Sequence, residues 1–74
     1  MSDLSTMLAR HAALRDQAEH ALWEAAQWLD LAALALTADN HLQEATELTR
    51  LSSDLIEHAL DCRAIAGLAR HVVA

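Results

Sequence analysis

One glycine (Gly67) and no proline in 74 residues is the feature that most narrows what this chain can become. Tight turns draw on glycine for positive φ and on proline for a preset φ. A chain this poor in both lacks the turns a multi-stranded sheet requires. What it has instead is 17 Ala and 14 Leu, the strongest helix formers. A length of 74 residues fits a single small domain, and the sequence reads as all-α throughout.

Only one segment in the middle of the chain resembles a turn, Thr37-Ala38-Asp39-Asn40. Ser2 or Asp3 is placed to cap a first helix over about 3–37. Asn40, with Gln43 three residues on, reads as the N-cap of a second helix over about 41–66. Gly67 either ends that helix, leaving a short helical tail over 68–74, or sits inside one longer helix at a cost of about 1 kcal/mol relative to Ala. A break near Leu14–Gln17 would give a three-helix monomer instead, but no Gly or Pro supports it.

Both helices carry an apolar stripe of helical period. In the first it comprises Leu4, Met7, Leu8, His11, Leu14, Ala18, Ala21, Leu22, Ala25, Trp28, Leu29, Ala32, Ala35 and Leu36. In the second it comprises Ala45, Leu48, Leu51, Leu55, Ala59, Cys62, Ile65, Ala66, Ala69 and Val72. A short link between two long helices makes them antiparallel neighbours, with residue i level with about 77 − i. Such a hairpin has one buried seam and no disulfide, which is little for a chain this short. Trp23, Leu31 and Leu34 lie off the seam, and with Trp28 they make the end of the first helix apolar nearly all round. An apolar patch of that kind marks an interface, so the expected architecture is a long antiparallel hairpin pairing into a dimeric four-helix bundle. Trp23, Trp28, Leu31 and Leu34 are its expected contact residues. The bland alternative has Trp23 covering the rim of a three-helix core.

Charge excludes several function classes. Eleven acidic residues face five arginines, for a formal charge of −6, and each half of the chain carries −3. With no basic tail or stripe, nucleic acid and anionic membrane surfaces are both disfavoured as partners. A nucleic-acid-binding bundle would need several of Arg10, Arg15, Arg50, Arg63 and Arg70 to converge on one face. Glu44, Glu47, Asp54, Glu57 and Asp61 run along one side of the second helix, either as a solvated face or as a flank that docks a partner protein. The most apolar stretch, Trp28 to Ala38, is 11 residues and contains Asp30, well short of the roughly 20 a membrane span needs. A lone Cys62 and an N-terminus without a signal-peptide pattern make a cytoplasmic setting the expectation.

Candidate chemistry is thin. His20 and Glu24, and His58 and Cys62, are each spaced i, i+4, and the hairpin register sets His20 near Glu57 and His58. These residue types could ligate zinc, which gives a metal-binding bundle as an alternative reading. Against it, there is no CxxC, HExxH or ExxH pairing. His58 and Cys62 could also form a thiolate pair, but catalysis needs a concave pocket and a third, orienting group that an alanine-rich hairpin rarely supplies. Burial of His11 and His58 on the apolar stripes would create a pH-sensitive interface; the ordinary reading is a satisfied rim residue. No glycine-rich phosphate loop and no aromatic base-stacking platform exist. The sequence therefore points to a non-enzymatic, cofactor-free interaction module of the anti-activator, phage-type inhibitor or chaperone-like adaptor kind. Its expected partners are a second copy of itself and a further protein.

Overall fold

The computed structural model describes residues 2–73. Two helices account for nearly all of them: α1, Ser2–Ala38, and α2, Leu42–Val73. They pack against each other as an antiparallel hairpin. The first helix is unbroken through 14–17, so the three-helix alternative is corrected: nothing there competes with a continuous run of helix formers. Asp3 lies in the first turn of α1, and Arg70 and His71 lie in the last turn of α2, each on the side that suits the helix dipole. The side chains of Ser2 and Val72 fall outside the described residues.

The turn corrects the role expected of Asn40. Its φ is 65°, the left-handed conformation. Its N–H donates to the Thr37 carbonyl at 3.1 Å, and the His41 N–H donates to the Leu36 carbonyl at 2.8 Å. This pair of bonds is a Schellman motif, in which Asn40 ends α1 rather than capping α2. Asparagine tolerates the left-handed region better than other residues bearing a Cβ, and no glycine is available here to take the position. The first turn of α2 is closed one residue later, where the His41 carbonyl accepts from the Ala45 N–H at 3.0 Å.

Nor does Gly67 end the second helix. α2 runs through it to Val73, and the expected boundary at 66 with a separate tail over 68–74 is corrected. Buried Ala66 and Ala69 bracket the glycine and pack with Ala12. Arg70 also reaches across to Asp16, so tertiary contacts hold the last turns together. Gly67 itself points away from the contact, and a Cβ added there would meet nothing within 4 Å.

The seam between the helices is built of small residues. Ala12, Ala26 and Ala33 are buried on α1, and Ala45, Ser52, Ala59, Cys62, Ala66 and Ala69 on α2. Half-buried Leu22, Leu29, Leu36, Leu48 and Leu55 fill positions between them. Spacing alternates three and four residues along both helices, the period of a supercoiled pair. Small side chains at every seventh position, interrupted on α1 only by Glu19, let the two backbones approach closely. Cα extents of 58 × 13 × 12 Å leave roughly 8 Å between helix axes, the short end of the usual range.

Close approach uses up little large apolar surface. No large side chain is fully buried among the described residues. The accessible surface is 5557 Å², against roughly 4,500 Å² for a compact monomer of this mass. The radius of gyration is 16.8 Å, where about 11 Å would mark a compact domain of this length.

Candidate interaction surface

The polar contacts across the seam fix its register. The buried Ser52 hydroxyl donates to the Ala26 carbonyl at 3.2 Å. Arg15 Nη1 donates to Cys62 Sγ at 3.9 Å, and its Nε to His11 Nε2 at 3.4 Å. Both cross-helix pairs match the expected register of 77 − i to within one residue. Among the described residues, no buried side-chain nitrogen or oxygen is left without a partner.

One edge of the hairpin is closed by ion pairs. Arg63 Nε and Nη2 donate to Glu19 Oε2 at 3.0 and 2.6 Å, and Trp23 Nε1 donates to the same oxygen at 3.1 Å. Arg63, through that hydrogen bond, is the main cause holding the Glu19 carboxyl below its ordinary range; partial desolvation opposes it and the Trp23 hydrogen bond adds to it. The same bond raises Arg63. Further along this edge Arg70 pairs with Asp16.

The other edge is apolar on α1. Leu4, Met7, His11, Leu14, Ala18, Ala21, Ala25, Trp28, Ala32 and Ala35 again alternate in steps of three and four. In α1 they form a second stripe, turned about 100° from the alanine seam. Its large members are all strongly exposed: Leu4 65%, Met7 65%, Leu14 63% and Trp28 71%. This is most of the stripe that the first-helix periodicity marks as the seam. The expectation is corrected, because α2 packs against the neighbouring stripe of smaller residues, where the helices can come closer. Of the expected seam, Leu8, Ala18, Leu22, Leu29 and Leu36 are half-buried. On α2 the expectation holds except at Leu51 and Ile65, which are exposed beside the apolar edge, while buried Ser52 and half-buried Ile56 belong to the seam region instead.

The four expected contact residues do not form one patch. Trp28, Leu31 and Leu34 are exposed and turn progressively away around α1. Trp23 is half-buried on the ion-paired edge, held by Glu19, and so stands apart from them. The acidic flank is brought together: Glu47, Asp54 and Asp61 stack at intervals of seven, with Glu44 and Glu57 beside them, all exposed. None of the five enters an ion pair among the described residues.

The residues of the alternative readings are dispersed. His20 sits 3.4 Å from Glu24, both largely exposed, whereas His58 lies on the opposite edge and Cys62 inside the seam beside Arg15. Among the described residues no three His, Cys, Asp or Glu side chains come together as metal ligands. His11 and His58 are exposed, so the burial that a pH-sensitive interface within the hairpin requires is absent. The arginines do not converge either, since Arg63 and Arg70 are engaged on one edge and Arg15 at the seam. An open groove of about 580 Å³ beside the turn is lined by Thr37, Leu42, Ala45, Thr46, Thr49 and Arg50. All three threonine hydroxyls there donate to the carbonyl four residues earlier. No described helix is long and apolar enough to cross a membrane.

Compared with protein-family models, curated proteins and solved structures, the chain shows no match.

What sequence reasoning missed is the contact made by small residues. Ala12, Ala26 and Ala33 on one helix, and Ala45, Ser52, Ala59 and Ala66 on the other, fall on a strict seven-residue grid. That grid was the available signal.

Proposed function

We propose that this chain is a non-enzymatic, all-α interaction module that works as a homodimer, a four-helix bundle of two hairpins, and regulates or inhibits a partner protein by binding it. One observation carries the reading. The hairpin spends its alanines on its own seam and leaves Leu4, Met7, Leu14 and Trp28 aligned and exposed on an adjacent stripe. Two contact stripes about a quarter-turn apart are what a helix needs to touch two neighbours in a bundle. The excess of accessible surface over a compact monomer supports the same reading. The unpaired carboxylates of Glu44, Glu47, Asp54, Glu57 and Asp61 would steer a partner of basic surface and make its association salt-dependent. The single buried thiol of Cys62 suits a reducing compartment such as the cytoplasm.

Absolute mass by light scattering, across a concentration series and with reductant, tests the assembly. Twice the 8.1 kDa of one chain is the expected result. A mass of one chain at every concentration, with a cooperative thermal transition, would overturn the homodimer.

A further inference from the structure

The exposed stripe of α1 has a polarity along its length that says what covers it. Its N-terminal half holds Leu4, Met7 and Leu14, while its C-terminal half holds Ala25, Ala32 and Ala35, with Trp28 as the one large residue. A stripe large at one end and small at the other is complementary to its own reversed copy. We infer that α1 packs on α1 of a second copy, antiparallel and two-fold symmetric, with residue i level with 39 − i of the other chain. This inference rests on the homodimer proposed above and specifies its interface.

Antiparallel helices at heptad spacing bring alternate stripe positions into shared layers. In this register Leu4 meets Ala35, Met7 meets Ala32, Leu14 meets Ala25, and Ala18 meets Ala21 at the centre. Trp28, the large exception, meets His11. Each large side chain but Trp28 finds an alanine, and the contact is isologous as a two-fold axis demands. A slip by seven residues in either direction either leaves Leu4 and Met7 beyond the partner helix or sets Leu4 against Trp28.

Charge selects α1 over α2 for the close contact. The α1 stripe contains no carboxylate or arginine, whereas the corresponding stripe of α2 carries Glu44, Glu47, Asp54 and Asp61. Pairing α2 with its own copy at the same distance would confine four carboxylates from each chain. The area is adequate. Leu4, Met7, Leu14 and Trp28 each expose on the order of 100–200 Å², so two copies bring together roughly 1,000 Å², the lower bound of a specific interface before the alanines are added. A two-fold axis through this contact places α2 and its copy side by side on one face. The angle of about 100° between the two stripes sets α2 and its copy roughly 12 Å apart, a wider spacing than the close contact of α1.

Nitroxide labels at Arg10→Cys and, separately, Gln17→Cys, each with Cys62→Ala, read the register by dipolar distance in the full-length protein. Both sites are exposed and flank the stripe. At 1.5 Å per residue the inferred register gives roughly 30 Å between the two copies' labels at position 10, and roughly 15 Å or less at position 17. Helical content and mass are checked first, and Cys62→Ser replaces Cys62→Ala should the alanine variant lose either. Equal short distances at both sites would mean a parallel pair and overturn the inference. A shift of about 10 Å in the position-10 distance would mean a different heptad register and overturn it as well. With a dimeric mass these failures leave the proposed homodimer standing; a one-chain mass with no dipolar signal removes both. Oxidation of the Ala18→Cys, Ala21→Cys, Cys62→Ala chain gives a second readout. It is expected to yield a covalent dimer, and failure to cross-link at dimeric concentrations would contradict the centre of the register.

Discussion

Two stripes of α1 share a helix, a period and a length, yet differ in everything that decides a contact. The seam stripe is Ala12, Ala26 and Ala33 with half-buried leucines between; the neighbouring stripe is Leu4, Met7, Leu14 and Trp28 with alanines between. The first is covered by α2 and the second is open. Residue size sorts them. A hairpin joined by a short turn draws two long helices together, and small side chains let the backbones close to roughly 8 Å. Large side chains bury more area per residue but hold helices further apart, which suits a neighbour not tied by a turn.

The sharpest way to break this contrast is to put size where the seam is small. Ala26→Leu is expected to cost about 3 kcal/mol in urea unfolding, because the extra side chain meets the α2 backbone near Ser52. An unchanged unfolding midpoint would show that the seam is not tight. Removing size where the stripe is large is the complementary change. Leu14→Ala leaves the hairpin seam untouched and weakens the proposed pairing by about 2 kcal/mol per dimer, roughly thirtyfold in dissociation constant by sedimentation. A lower helical content in the dissociated chain would instead place Leu14 in the hairpin core.

A third change tests free space on the far side of α2. Gly67→Ala adds a Cβ that touches nothing, at a helical position without positive φ. It is expected to raise stability by up to about 1 kcal/mol through helix propensity and lower unfolded-state entropy. A destabilising result would mean that Gly67 faces a neighbour. The smallest effect concerns Glu19, the one carboxylate at the seam. Its folded-state pKa is depressed by Arg63, so it adds stability above the ordinary carboxylate range, and that stability is lost as pH falls through the depressed value. The thermal midpoint should therefore fall on acidification, and less so in Arg63→Met. Identical acid profiles in both proteins would remove the pair from the stability of the hairpin.

Helix type, antiparallel pairing and register were legible in the sequence because they follow from propensity, a single turn-like cluster and counting. The contact face of α1 was not. Two heptad stripes lie side by side on that helix, and a reading weighted by hydrophobicity prefers Leu14 and Trp28 to Ala12 and Ala26. Asn40 was misread for a related reason: asparagine serves both helix starts and left-handed helix ends, and only backbone φ separates the two. Gly67 could be read either as the end of α2 or as part of it, and Ala66, Ala69 and Arg70 decide for the second by binding the turns on both sides of it. Trp23 was legible as interfacial only in part, since the Glu19 carboxylate that holds its indole comes from the same helix.

The seven-residue grid of small side chains works like the teeth of two combs. Sliding α2 along α1 by one heptad, about 10 Å, would seat nearly every tooth in an equivalent gap. Glu19 is the tooth of the wrong shape. It occupies a position otherwise held by alanine and meets its cation only where Arg63 lies within reach. The Asn40 turn acts as the stop at the end of the rack. Lengthening that turn while neutralising Glu19 should therefore turn a hairpin of fixed alignment into one that indexes between discrete positions, a molecular vernier assembled almost wholly from alanine.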